Sequence, residues 1–158
     1  MSLERWSADR RFGVRLEDDV LETLRDECAR SGHLETGGVL LGRYSSRQDC
    51  AVVTEVVPEP PDSSRGRTWF HRGVRGLRAL FVARWRARRD VYLGEWHFHP
   101  GVNPEPSGRD QEQIRVLAAA ASVGCAAPVL LVAGLMPNLV IDAWVAPRRA
   151  PVVHLSER

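Results

Sequence analysis

The stretch VYLGEWHFHPGVNPEPSGRD, from Val91 to Asp110, constrains the fold more than any other part of the sequence. VYLGEWHF has the apolar composition of a strand, GVNPEP is a proline-stiffened loop, and a helical pattern rich in alanine runs from Arg109 to Ser122. Strand side chains alternate faces, so His97 and His99 project together while Phe98 projects the other way. Pro100, Pro104 and Pro106 limit the slack of the loop, and Asp110 arrives from the first turn of the helix. Two imidazoles and a carboxylate can then share one metal ion.

Three protein ligands with an open fourth position are the requirement of a catalytic zinc site, because the water there must be displaceable and acidic. A carboxylate beside that water has to serve as general base and then as acid to the leaving amine, and Glu35 can supply it from a facing strand. Ser107 can donate its hydroxyl proton to a tetrahedral oxyanion. Taken alone, Ser107 followed by Asp110 fits a capped helix start at least as well, and an isolated His-x-His or a lone Glu35 is an ordinary polar feature. The conjunction of all five is the specific signal.

The rest of the chain supplies a frame. Arg11–Leu16 alternates like a half-buried strand and leads into a helix in which Leu16, Val20, Leu24 and Cys28 recur every four residues, with Glu17, Asp18 and Asp19 at its start and Gly32 past its end. ETGGVLLGRY and CAVVTEVV are expected to be two antiparallel strands, PEPPDSSRGR a loop and RTWFHR a short strand. From Gly73 to Arg89, the apolar residues Val74, Leu77, Phe81 and Trp85 share one helical face. Pro128–Ala133 and Leu139–Val145 are expected to close a hairpin, with 147–158 an edge strand or a mobile tail. The order of elements predicts an α/β (α+β mixed) fold: one mixed sheet flanked by helices.

With 158 residues, the chain is expected to form one domain over 1–158. The formal charge of +2 is too mild to imply nucleic-acid binding, although Arg84, Arg86, Arg88 and Arg89 cluster on one helix. All 22 basic residues are arginine, so no lysine can accept an isopeptide; self-protection is one reading, and codon bias is the preferred one. Cys28, Cys50 and Cys125 form no CxxC pair and suggest no disulfide framework. MSLERWSADRR lacks a signal-peptide core and no apolar run approaches a membrane span, so a cytoplasmic location without membrane partners is expected.

Glu35, His97, His99, Pro100, Ser107 and Asp110 reproduce, with every spacing intact, the motif of the MPN/JAMM (JAB) metalloprotease family, which the sequence resembles also in ETGGVLLG and in its order of elements. The resemblance implies a JAB/MPN-like (cytidine deaminase-like) fold, one catalytic Zn2+ held by His97, His99 and Asp110, Glu35 as acid/base and Ser107 as oxyanion partner. One departure is Phe98, where the family commonly has Ser or Thr between the histidines. The family cuts peptide or isopeptide bonds at the C-terminal tail of ubiquitin-like proteins, and small bacterial members accompany E1-like and E2-like enzymes, some in antiphage systems. A prokaryotic modifier deconjugase is the leading expectation, with Trp69 and Phe70 in the segment Pro58–Arg72 either as the docking strand for the tail or as an aromatic pair packed on the core. The alternatives are release of an amino acid from a sulfur-carrier protein, a RadC-like DNA-associated module, and an inactive MPN scaffold.

Overall fold

The computed structural model describes residues 2–101 and 103–157. Met1, Val102 and Arg158 lie outside the described residues, so the expected 1–158 unit, the loop GVNPEP and the tail 147–158 are each described without them. In chain order the elements are β1 (Leu3–Trp6), β2 (Gly13–Leu16), α1 (Asp18–Ser31), β3 (Thr36–Tyr44), β4 (Cys50–Val56), β5 (Ser64–Arg65), β6 (Phe70–His71), α2 (Leu77–Arg88), β7 (Val91–Phe98), α3 (Gly108–Ala119), β8 (Val129–Leu135), β9 (Leu139–Val145) and β10 (Val153–Leu155).

Eight strands form one mixed sheet in the order β1-β2-β4-β3-β7-β8-β9-β10, with β2–β4 and β7–β8 parallel and the other pairs antiparallel. The sheet curls until its edges meet: the Trp6 N–H donates to the Ser156 carbonyl at 2.9 Å and the Ser156 N–H returns the bond at 3.0 Å. The tail is therefore an edge strand tied to the first strand. Strand β1 was not expected from the sequence; its four residues are all half-buried and lack a clean alternation.

Helix α1 packs against β4 and β8 on one face of this sheet. Asp18 and Asp19 face the positive end of its dipole, and Gly32, at φ 63°, terminates it in a backbone region that favours glycine. Val20, Leu24 and Cys28 are buried as the four-residue spacing predicts, whereas Leu16 belongs to β2 and enters the same core from the sheet. Burial of Val20 and Leu24 contributes about 1.5–3 kcal/mol each. Trp96 and Phe98 of β7 point into this core too, which leaves the other face of β7 to His97.

Two smaller clusters cover the opposite face. Leu77 of α2 packs on Val39, Leu41 and Val57, and Ile114 and Ala118 of α3 pack on Leu130, Val132 and Ala146. The predicted α2 stripe holds only in part: Leu77 is buried, but Val74 lies before the helix at 67% exposure and Trp85 is 48% exposed. Trp85 is instead covered on its ring face by Arg89, with the guanidinium carbon 4.9 Å from the ring centroid. The expected loop PEPPDSSRGR contains β5, and RTWFHR narrows to β6; the two strands form a separate ribbon outside the main sheet. Cys28, Cys50 and Cys125 are free and buried, in line with the absence of a disulfide framework.

Candidate metal and catalytic site

The site lies where β7 leaves the sheet. Parallel pairing of His97 with Val132 and of Phe98 with Ala133, extended by the bond from the His99 N–H to the Ala133 carbonyl at 2.9 Å, fixes this strand end from one side. On the other side β3 pairs Gly37 with His97 and Thr36 with Phe98, so Glu35, just before β3, falls level with His99. A side chain at Gly37 would have no room: its Cβ would lie 2.8 Å from Phe70 Cε1 and 2.9 Å from His97 Cδ2. Glycine there lets Phe70 meet His97 edge to face, with ring centroids 5.5 Å apart.

Asp110 reaches the imidazoles from the first turn of α3. Its Oδ1 lies 2.9 Å from His97 Nδ1 and its Oδ2 lies 3.2 Å from His99 Nε2. The Ser107 N–H also donates to Asp110 Oδ2 at 2.8 Å, while the Asp110 N–H donates to Ser107 Oγ at 3.1 Å, a complete capping box. The cap reading of Ser107 thus holds, and it leaves the hydroxyl proton free, because the oxygen uses only a lone pair as acceptor.

His97, His99 and Asp110 are all buried, and each offers a ligand atom within 4.8 Å of the others. Burial pushes the Asp110 carboxyl up, but hydrogen bonds from His97 and His99 outweigh it and hold the group well below the usual carboxylate range. Burial lowers the pKa of His99, and Asp110 more than reverses that. Glu35 is half-buried and its pKa is raised, first by burial; the charges of His99, Asp110 and His97 also reach it, so its carboxyl belongs to the same electrostatic cluster. Two imidazoles and a carboxylate held ionised, gathered in a buried corner, are a donor set suited to a divalent ion.

The model of the family described as prokaryotic homologs of the JAB domain matches residues 17–146. The chain belongs to that family. This JAB chain is 40% identical over 148 residues to a protein of Enterobacter hormaechei subsp. hoffmannii named CD-NTase/cGAS isopeptidase, covering 92% of the chain and 82% of the relative. A Pseudomonas aeruginosa protein of the same name is 36% identical over 118 residues, or 72% of the chain and 73% of the relative. The solution structure of a Desulfitobacterium hafniense protein shares the fold, with a TM-score of 0.67, 20% identity and coverage of 89% of this chain and 88% of that one. The protein is a JAB-type metalloprotease with a buried His-His-Asp group.

The JAB site gathers four of the sequence-predicted residues around the cluster and places Ser107 at its rim. Trp69 is exposed on the β5–β6 ribbon, and Phe70 is buried against His97. The arginine cluster does not form a free basic face: Arg84 and Arg88 both bond Glu55, and Arg89 lies over Trp85. Two contacts escaped the sequence reading. The ribbon touches the site directly, since the Glu35 N–H donates to the Gly66 carbonyl at 2.9 Å. Glu95, fully buried on β7, pairs with Arg72; the signal available was a carboxylate inside an apolar strand, on the face that carries the histidines. Among the described residues no helix is long and apolar enough to cross a membrane.

Proposed function

We propose that this JAB protein is a zinc-dependent isopeptidase that detaches a CD-NTase/cGAS-type protein from its conjugates in the bacterial cytoplasm. The observation that carries the reading is the burial of His97, His99 and Asp110 within 4.8 Å of one another, in a chain 40% identical over 148 residues to a protein bearing that name. The relatives' names shift the expected substrate from a ubiquitin-like modifier to a conjugate of the protein they mention. A ubiquitin-like tail becomes the comparison substrate, and E1-like and E2-like enzymes become the class of reaction that would build the conjugate.

His97, His99 and Asp110 would hold the ion, which when bound supplies Lewis acidity to polarise the scissile carbonyl and to make a water acidic near neutral pH. Glu35 takes a proton from the attacking water and returns it to the leaving amine, and a pKa raised by burial suits both directions of transfer. Ser107 directs its free O–H at the carbonyl oxygen as charge develops there, while its oxygen stays fixed by the helix cap. The β5–β6 ribbon offers an edge to the extended tail that leads to the scissile bond; Trp69 lies exposed beside it and Phe70 shapes the floor by packing on His97.

The test uses purified protein, a CD-NTase/cGAS-type conjugate and a ubiquitin-like fusion. Wild type should carry about one zinc per chain and cleave the first substrate in preference to the second. Glu35→Gln should keep the metal and lose turnover. Full cleavage by Glu35→Gln, or cleavage by protein stripped of metal, rejects the mechanism; equal cleavage of both substrates rejects the substrate class.

A further inference from the structure

Arg72 ends the β5–β6 ribbon, and its side chain turns inward to a buried partner on β7. Its Nε and Nη2 donate to Glu95 Oε1 at 2.9 and 2.7 Å, and its Nη1 donates to the carbonyl of Gly73 at 2.7 Å. The two side chains are only 10% and 2% exposed. Among the described residues neither Glu95 Oε2 nor the buried Tyr92 hydroxyl has a partner at good hydrogen-bond geometry, although the hydroxyl is near enough to act on the carboxylate electrostatically. Burial of such a pair costs desolvation of both ions, and apolar replacements of similar volume are commonly neutral or stabilising. Stability alone therefore gives little reason for a charged pair at this place. The guanidinium fork does supply direction, because three donors fix both the carboxylate and the adjacent main chain.

The ribbon thus fixed touches the catalytic corner twice more. Its Gly66 carbonyl receives the Glu35 N–H, and its Phe70 ring lies edge to face with His97. Glu95 itself is two residues before His97 on the same strand, so the anchor point and the metal ligand share one rigid segment. Loss of the fork would free one end of a two-stranded ribbon too short to hold its own shape.

We propose that the buried Arg72–Glu95 pair is a positioning clamp that sets the β5–β6 ribbon against both Glu35 and His97 and so presents a preformed edge to the substrate tail. This rests on the reading above that the ribbon receives the tail. Preorganisation of a docking edge lowers the ordering cost of binding, so its loss falls mainly on KM.

Two variants test it: the apolar pair Arg72→Met/Glu95→Leu, and Arg72→Lys, which keeps the charge without the fork. Trypsin cleavage at Arg65 and Arg67 reports the opening of the ribbon with no substrate present. For the double variant the expected result is unchanged thermal stability and zinc content, trypsin cleavage faster by about tenfold, and KM raised by about tenfold with kcat altered less than about threefold. A double variant with wild-type ribbon protection and KM overturns the proposal. Should the double variant fail to fold, Arg72→Lys decides: faster ribbon cleavage and a raised KM support the clamp, and wild-type values refute it. If the wild-type protein cleaves no conjugate, the functional reading fails, while the trypsin comparison still decides whether Arg72 and Glu95 hold the ribbon.

Discussion

Asp110 Oδ1 lies 2.9 Å from His97 Nδ1 while the other oxygen of the same carboxylate accepts the Ser107 N–H, so one side chain serves both the metal corner and the helix start. The two duties separate by substitution. Asp110→Asn keeps an oxygen for the Ser107 N–H and removes the negative charge; Asp110→Ala removes both. Zinc content should fall in each, and urea unfolding of the metal-free proteins should place Asp110→Ala about 1 kcal/mol below Asp110→Asn. Equal stability of the two would show that the cap bond contributes nothing.

Ser107 permits a similar division. Ser107→Ala should lose about 1 kcal/mol of stability with the cap and about 10²–10³-fold in kcat with the oxyanion donor. Ser107→Asp restores the cap acceptor without a hydroxyl proton, so its unfolding midpoint should return toward wild type while kcat stays low. Recovery of turnover in Ser107→Asp would confine Ser107 to the cap.

Much of this corner was legible because its geometry is written in short-range rules. Period-two alternation placed His97 and His99 together, and three prolines with a capping box delivered Asp110. Only half of the ribbon was legible: RTWFHR was expected as a short strand and contains β6, whereas the two-residue β5, Ser64–Arg65, exists only through its partner, and nothing local marks it. Val74 and Trp85 were misplaced for a related reason: helical period tells which side chains share a face, but α2 rests on the sheet mainly around Leu77, Leu80 and Phe81. Trp85 carries its own cover in Arg89.

Glu55 gives a pH dependence independent of the metal. Hydrogen bonds from Arg84, aided by Arg88, hold its carboxyl below the ordinary value of 4.5 despite partial burial. A pKa depressed on folding means that the folded state binds this proton less tightly than the unfolded chain. The associated stability is fully present above pH 4.5 and is lost as pH falls through the depressed folded value. Glu55→Gln should therefore flatten the acid limb of a stability-versus-pH curve measured by urea unfolding and leave it unchanged near neutrality in slope. An acid limb identical to wild type would remove Glu55 from the linkage.

Gly37 provides the sharpest link between backbone and chemistry, because the space it leaves is filled by a ligand and its neighbour at once. A methyl there meets the Trp96 carbonyl, Phe70 Cε1 at 2.8 Å and His97 Cδ2 at 2.9 Å. The carbonyl belongs to the paired strand and cannot retreat without breaking the β3–β7 ladder, so the rings must give way. Overpacking of this kind costs about 1–3 kcal/mol, and here the displaced atom set includes an imidazole of the buried His-His-Asp group. Gly37→Ala should lower the thermal midpoint and also weaken zinc retention against a chelator. Gly32→Ala, at a helix end where an added Cβ meets no neighbouring atom, supplies the control: strain at its positive φ should lower stability without altering zinc retention at temperatures where the protein stays folded. If both variants held zinc equally well, the close approach at Gly37 would matter for folding alone.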